Sequence, residues 1–249
     1  MYHLFIILSI MLLSTANFTS SANAREAQPD WSYDDDYTGQ EDWGAIKGYE
    51  ICESGANQSP VVIAHTKSSP LPKLNFKYDK IDGLLMVTPN SFIMKVKNGG
   101  ILNSDDESYS LQSIELHSPS SHKVKESFYP LEIHLIHKDV RGNALIVAIF
   151  ANIGSKNLAI KELLKQAAAK NISRFSIDNI STIIPTTDSY YTYNGSLPYP
   201  PCTEGVKWII LKEPITISGQ QLGKITDYIG RNTRLPQPLY IREILETPQ

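Results

Sequence analysis

Cysteines, basic runs and long apolar segments are all scarce in this chain of 249 residues. After residue 13 no segment reaches the roughly 20 apolar residues that a bilayer span needs, so we expect no membrane span beyond the N-terminus. The net charge is −3 and no lysine or arginine run is present, so no nucleic-acid partner is expected. A glycine-rich phosphate loop, a cysteine nucleophile and a Ser-His-Asp pattern are also not evident. These absences leave an enzyme of another kind or a binding protein.

The N-terminus has the pattern of a secretory signal. An apolar run over residues 4–13 leads into a polar stretch that ends in the small-x-small sequence ANA at residues 22–24. We predict a signal peptide over residues 1–24 and one domain over residues 25–249, secreted or periplasmic. An uncleaved membrane anchor is the alternative, because no lysine or arginine precedes the apolar run.

The rest of the chain has the spacing of a β-rich domain. Short apolar runs separated by Gly, Pro, Asn and Asp recur from Leu71 to Phe150. Apolar residues at helical spacing predict one helix over residues 158–170, and a second short helix is expected over residues 220–229. No internal repeat or low-complexity linker is present, so we expect a single domain.

Two stretches carry candidate metal ligands. Residues 109–122 (YSLQSIELHSPSSH) and 129–138 (YPLEIHLIHK) alternate apolar and polar residues, as strands do. Residues two apart in a strand share a face, so Glu115 and His117 converge with His134 if the two strands are neighbours. Two imidazoles and a carboxylate suit a divalent metal. The alternative is that both histidines are ordinary hydrogen-bonded strand residues.

Several motifs in order resemble the α-class carbonic anhydrases. They are NQSP at residues 57–60, YxLxxxxxHxPSxH at 109–122, ExHLxH at 132–137, YTYxGSLxxPPCTE at 191–204 and WxxLKEPI at 208–215. The resemblance implies an α+β, mostly β fold: one domain with a central, mostly antiparallel, twisted sheet of about ten strands, peripheral helices and a conical cleft. Exported members often join the positions of Cys52 and Cys202, so a disulfide is expected; two buried free thiols are the alternative.

The resemblance also assigns a zinc site with one departure. His117 and His134 match the second and third zinc ligands, whereas Glu115 stands where the family has its first histidine. Glu132 matches the carboxylate that orients a zinc-bound histidine. Ser113 replaces a glutamine that supports the first one. Zinc is therefore the expected cofactor; the alternative is that Glu115 turns away and no metal binds.

The catalytic positions of the family are replaced. Pro198 stands where a threonine holds the zinc-bound hydroxide, and Ser121 replaces the glutamate that orients this threonine. Tyr199 replaces a second threonine and adds bulk, and Phe92 stands at the place of the proton-shuttling histidine. The apolar wall for CO2 is expected from Ile136, Ile146, Leu197 and Trp208, with Tyr199 also lining the substrate pocket. The alternative is that the four wall residues are simply core.

The sequence thus predicts an exported carbonic-anhydrase-like protein with weak or lost CO2 hydration, kept as a binding or structural module for an unknown protein or surface partner. An apolar patch around Tyr199 and Phe92 is expected to be exposed to such a partner. The alternative is an active zinc lyase with CO2 and bicarbonate as substrate and product, using Glu115, His117 and His134. A third hypothesis is hydrolysis of activated esters by the same site.

Overall fold

The computed structural model describes residues 31–34, 37–88, 90–104, 106–167, 172–178, 180–187 and 189–248. The predicted signal peptide lies outside these residues, as do the last three residues of the first predicted helix. No helix in the described ranges is long and apolar enough to cross a membrane.

Strands dominate the described chain. In chain order they are β1 Val62–Ile63, β2 Lys67–Ser68, β3 Leu74–Lys77, β4 Ile81–Thr88, β5 Ser91–Asn98, β6 Ile101–Ser104, β7 Glu107–His117, β8 Lys123–Val124, β9 Ser127–Phe128, β10 Leu131–Lys138, β11 Ala144–Ile153, β12 Ile172–Ile177, β13 Tyr190–Ser196, β14 Glu204–Ile217 and β15 Leu245–Glu246. The α-helices are α1 Ile51–Ser54, α2 Leu158–Ala167 and α3 Gly219–Ile229, with 3₁₀ turns at Trp43–Ala45 and Ile180–Ile183.

One sheet of 12 strands organises the molecule. Ten of them follow the order β12-β4-β5-β7-β10-β11-β14-β13-β15-β2, and β3 and β6 extend the sheet beside β7. Neighbours are antiparallel except β11 with β14 and β15 with β2. A small separate sheet joins β1, β8 and β9. The predicted mostly antiparallel sheet with few helices is confirmed.

The two faces of the sheet pack against different cores. On β10, Ile133 and Leu135 enter the larger core, together with the buried side of α2 and α3. Residues of the other parity, such as Ile136 on β10 and Trp208 on β14, enter a second core on the opposite face. The side chains of Glu132 and His134 share this second face, because residues two apart on a strand point the same way.

Both predicted helices are present. In α2 the buried residues recur at helical spacing, from Ala159 to Ala167. Ser218 caps the start of α3: its side chain accepts a hydrogen bond from the Gln221 backbone, and the Gln221 side chain returns one to the Ser218 backbone. The capping box explains why the helix begins at Gly219.

A third apolar cluster packs the N-terminal arm, residues 31–34 and 37–49, against the rest of the domain. Tyr33, Trp43 and Tyr49 are buried around the Cys52–Cys202 disulfide, whose Cα atoms lie 5.1 Å apart. The predicted disulfide is therefore confirmed, and its partners sit 150 residues apart in the sequence.

The prediction that Phe92 belongs to an exposed apolar patch is wrong. Its side chain is 1% exposed and packs in the larger core, with its ring centroid 6.2 Å from that of Tyr228. The reason is its register on β5, where Phe92 and Met94 both point into that core.

Candidate functional site

Strands β7 and β10 bring the candidate ligands together. The strands are antiparallel neighbours, and the register places His134 opposite Glu115 and Glu132 opposite His117. All four side chains are buried. The ring centroids of His117 and His134 lie 4.2 Å apart.

His117 presents a bare ring nitrogen. Its Nδ1 lies 3.0 Å from the backbone oxygen of Asn232. A carbonyl oxygen only accepts hydrogen bonds, so Nδ1 must carry the hydrogen and Nε2 must carry a lone pair. That Nε2 atom is buried and has no hydrogen-bond partner. Burial lowers the pKa of His117 to about 3, which keeps the ring neutral at neutral pH.

His134 is held in the other tautomer. Its Nε2 lies 2.8 Å from Glu132 Oε1, so Nε2 donates and Nδ1 carries the lone pair. This Nδ1 is also buried without a partner. Burial lowers the pKa of His134, and the Glu132 carboxylate opposes that shift. In each neutral imidazole, the hydrogen bond at one nitrogen sets the tautomer and leaves a lone pair on the other nitrogen, which has no partner.

Glu132 is the centre of a buried hydrogen-bond network. Besides His134, it accepts bonds from the backbone nitrogen of His122 at 2.8 Å and from His122 Nδ1 at 2.7 Å. His122 Nε2 lies 2.8 Å from the Tyr193 hydroxyl, which lies 2.9 Å from Ser59 Oγ. Burial favours the neutral carboxyl, but the two facing imidazoles outweigh it and hold the pKa of Glu132 well below its usual range.

In the described part of the chain, His122, Glu132 and His134 are the one set of three possible ligand side chains whose atoms all lie within 4.8 Å of one another. Their atoms, however, are used by each other: both His122 nitrogens and the Nε2 of His134 are hydrogen-bonded. We therefore interpret this trio as an orienting network. The lone pairs available to an ion belong to His117 and His134.

Glu115 supplies a carboxylate beside these lone pairs. Its Oε1 accepts hydrogen bonds from Ser113 Oγ and the Tyr199 hydroxyl, each at 3.2 Å. Its Oε2 lies 3.9 Å from His117 Nε2. Burial raises the pKa of Glu115 to about 7, and the hydrogen bonds from Tyr199 and Ser113 limit that rise.

The residues fit a divalent metal, although two of the ligand atoms lie farther apart than they would around a bound zinc. Two ligand atoms on a tetrahedral zinc lie about 3.3 Å apart when each bond is about 2.0–2.1 Å. The 3.9 Å between Glu115 Oε2 and His117 Nε2 is near that separation. Two buried lone pairs without partners are the stronger observation, since buried polar atoms are normally paired.

The cleft above the histidines is covered by aromatic rings. The ring of Tyr199 lies parallel to that of Trp31, with centroids 6.1 Å apart and an interplanar angle of 3°. Beneath them a cavity of about 50 Å³ remains, lined by Glu115, His117 and Phe92 among others. A water needs roughly 10–15 Å³ by this measure, so the cavity holds only a few waters.

Pro198 and Ser121, the two positions at which the sequence predicts that a catalytic pair is replaced, are both buried. Pro198 is buried and offers neither a hydroxyl nor a backbone N–H. The hydroxyl of Ser121 is buried without any hydrogen-bond partner. We call two residues that line the cavity, Trp31 and Tyr199, together with the buried Ser121 and Pro198, the mouth of the cleft. Its floor comprises His117, His122, Glu132, His134 and Asn232.

The comparison with known proteins decides the family. The model of the eukaryotic-type carbonic anhydrase family matches residues 38–247, most of the chain. This chain belongs to that family. It is 32% identical over 248 residues to a carbonic anhydrase of Neisseria gonorrhoeae, covering 96% of this chain and 95% of the relative. It is 31% identical over 225 residues to one of Klebsiella pneumoniae, covering 87% and 90%.

Solved carbonic anhydrase structures share the fold. The α-carbonic anhydrase of Thermovibrio ammonificans in complex with the inhibitor sulfanilamide matches with a TM-score of 0.80 and 29% identity, covering 87% of this chain and 98% of that one. A dioscorin complexed with ascorbate matches with a TM-score of 0.83 and 27% identity, covering 89% and 99%. The fold of this chain is thus shared by carbonic anhydrases and by a dioscorin.

The apolar residues predicted as a CO2 wall are divided by the structure. Ile136, Ile146 and Trp208 are buried in the second core, and Leu197 packs against it. The Trp208 ring lies 5.0 Å from that of His134. Tyr199 is the one of the five that lines the cavity above the histidines.

Sequence reasoning gave no role to several residues of the floor and of the hydrogen-bond network beside it. His122 and Tyr193 lie inside the quoted motifs, at the end of HxPSxH and in YTYxGSL, so the motifs marked them without giving a role. Asn232 lies in RNxRxxQPL at residues 231–239, which also resembles the family, but its contact with His117 is made by a backbone oxygen and so could not be read from the motif. Ser113 is also better placed than expected, since its hydroxyl still bonds the side chain at position 115.

Proposed function

We propose that this protein is an exported member of the carbonic anhydrase family whose CO2 hydration is weak or lost and whose domain is kept for binding a protein or surface partner. The observation that carries the proposal is the mouth of the cleft. Pro198 removes a hydroxyl and a backbone N–H at once, and the buried hydroxyl of Ser121 has nothing to bond. Both changes fall on one hydrogen-bonded unit of the family.

The floor supports a metal site all the same. His117 Nε2, His134 Nδ1 and a Glu115 oxygen would hold zinc, which when bound supplies a Lewis acid that acidifies a water. The negative charge of Glu115 would offset part of the positive charge that acidifies this water, which three neutral imidazoles would leave intact. Phe92 cannot move a proton to solvent, and Pro198 cannot orient a hydroxyl.

Access is the second support for lost hydration. Tyr199 bonds Glu115 and lies against Trp31, so the two rings leave little room beside the histidines. The Thermovibrio relative carries sulfanilamide. We propose that this chain does not bind that inhibitor even when it is loaded with zinc, because the rings of the mouth occupy the approach.

The test is metal content and CO2 hydration on one purified sample of the mature protein, with and without added zinc. We expect up to one zinc per chain, low CO2 hydration and little hydrolysis of an activated ester. Sulfanilamide should produce no binding heat with the zinc-loaded protein. His134→Ala is the control that removes a lone pair of the floor, and it should abolish zinc binding.

Two outcomes would contradict the proposal. CO2 hydration at a rate typical of the family, abolished by a chelator, would make the chain an active zinc lyase with Glu115 as a ligand. Rapid hydrolysis of the ester with slow CO2 hydration would instead support a metal-dependent esterase. Absence of both zinc and activity leaves the lost-hydration proposal standing and shows that the floor does not hold a metal.

A further inference from the structure

A second pocket lies away from the histidines, between the starts of α2 and α3. It has a volume of about 520 Å³. Its polar lining includes four lysines and no carboxylate: Lys156, Lys161, Lys165 and Lys224. This composition is unlike that of the whole chain, in which 26 acidic residues outnumber 23 basic ones. A set of like charges around one pocket needs an explanation.

Two buried hydrogen bonds between Asn157 and Gln221 hold the base of this lysine pocket in place. The Asn157 backbone N–H donates to Gln221 Oε1 at 2.9 Å, and Gln221 Nε2 donates to the Asn157 backbone oxygen at 2.7 Å. Asn157 Oδ1 also accepts from the Ile160 backbone at 3.1 Å, which caps the first turn of α2. The starts of the two helices are therefore held together at the pocket, which fixes the backbone positions of Lys161, Lys165 and Lys224 relative to one another.

The lysines have almost no acidic partners. In the described ranges the one ion pair that any of them makes joins Lys165 to Glu162 at 3.9 Å, with the lysine side chain 77% exposed. Such an exposed pair contributes little. Lys161 and Lys165 are four residues apart on α2, so they lie on the same side of the helix and repel each other. An anion in the pocket would relieve this repulsion.

We propose that the lysine pocket binds a small anion with several closely spaced phosphate groups, an oligophosphate. Lysine ammonium groups bind phosphate as point charges, and four of them match a ligand with several charges better than one with a single charge. The volume is that of a small-molecule site. No aromatic ring lines the pocket, so it offers nothing on which a nucleotide base would stack.

Calorimetric titration with tripolyphosphate tests the proposal on the whole mature protein. We expect saturable binding that weakens as salt is added, because exposed charges are screened. Lys161→Gln/Lys224→Gln should weaken binding by at least about fivefold. The matched control is Lys77→Gln/Lys138→Gln, which removes the same charge from two exposed lysines on β3 and β10. It should change the affinity by less than about twofold.

Equal losses in the two double variants would overturn the proposal, since they would show attraction by overall charge. Binding of monophosphate as strongly as tripolyphosphate would also overturn it, because the four lysines would then select no ligand with several charges. A third arm uses vesicles of phosphatidylglycerol against vesicles of phosphatidylcholine. Vesicle binding that needs Lys161 and Lys224, without tripolyphosphate binding, would assign the pocket to a lipid surface and contradict a soluble ligand.

Discussion

The floor and the mouth of the cleft obey different physical constraints. In the floor, the hydrogen-bonded ring nitrogens have buried partners. Removal of one of these side chains would therefore leave another buried polar group without a hydrogen bond. Glu132 alone accepts three hydrogen bonds at full burial. In the mouth, Pro198 has no side-chain polar group and no backbone N–H that would need a hydrogen bond. The Tyr199 hydroxyl donates to Glu115, and its ring lies parallel to that of Trp31. The mouth can therefore change at a smaller cost in stability than the floor.

This difference limits what the histidines of the floor show about activity. A buried carboxylate that has lost its donors destabilises a fold by several kcal/mol. His122, Glu132 and His134 thus contribute to the stability of the fold whether or not a reaction takes place. Fewer buried hydrogen bonds depend on the mouth, where the Ser121 hydroxyl has no partner, so the residues of the mouth are the better guide to function.

The largest expected effect comes from rebuilding the mouth. Glu115→His/Ser121→Glu/Pro198→Thr/Tyr199→Thr should hydrate CO2 at least about 100-fold faster than Glu115→His alone. A single donor that stabilises developing charge is worth about 10²–10³ in kcat, and the single variant still lacks it. Stopped-flow hydration assays at equal zinc occupancy measure the ratio.

The rebuilt variant also has a clear control. Adding His134→Ala to it should remove the gain, because that change deletes a lone pair of the floor. If Glu115→His alone hydrated CO2 at a rate typical of the family, Ser121 and Pro198 would not be what limits the reaction. The proposed role of the mouth would then be wrong.

The second effect concerns the floor. Glu132→Ala should lower the free energy of unfolding by about 3–5 kcal/mol, because it leaves three buried donors of His122 and His134 without an acceptor, at about 1–3 kcal/mol each as an upper range. Urea denaturation measures the change. Glu126→Ala, at a side chain that is 95% exposed, is the matched control and should stay within about 0.5 kcal/mol. A similar loss in both variants would remove the distinction between the two regions.

The third effect tests how the mouth is anchored. Cys52→Ser/Cys202→Ser should lower the free energy of unfolding by about 2–4 kcal/mol, since the bridge closes a long loop in the unfolded chain. It should also loosen the aromatic cluster that includes Tyr33 and Trp43. Reduced wild-type protein should unfold at the same urea concentration as the double variant. A variant as stable as the oxidised protein would show that the aromatic packing alone holds the arm.

Strand alternation predicted more of the site than did any single residue. It placed Glu115 and His117 on one face, and the β7–β10 register confirms that His134 lies opposite Glu115. It could not give the tautomers, because those depend on Asn232 and on the choice of oxygen at Glu132. Which ring nitrogen meets which oxygen depends on the folded geometry, and residue types alone do not encode it.

The mouth and the lysine pocket escaped prediction for a related reason. The sequence marked Tyr199 as bulky but could not pair it with Trp31, which lies 168 residues earlier in the chain. The four lysines of the pocket are spread from position 156 to position 224 with no basic run among them. Phe92 was misplaced because a one-residue choice of register decides whether a strand residue faces the core or the solvent.

The smallest expected effect separates the two roles of Tyr199. Tyr199→Phe keeps the ring against Trp31 but removes the hydroxyl that donates to Glu115, so it should cost about 1 kcal/mol of stability. Ser113 still bonds the same carboxylate oxygen, which keeps the loss small. Tyr199→Ala removes the ring as well and should cost more, because the contact with Trp31 is lost.

Zinc affinity measured on the same two variants shows whether the mouth acts on the floor. With Tyr199→Phe we expect a change of less than about tenfold, the lower range for a residue that only orients a ligand. Tyr199→Ala should open the approach and allow sulfanilamide to bind the zinc-loaded protein, whereas Tyr199→Phe should not. Sulfanilamide binding by the Phe variant would mean that the hydroxyl, acting through Glu115, closes the cleft. The difference between floor and mouth would then rest on one hydrogen bond instead of on the bulk of two rings.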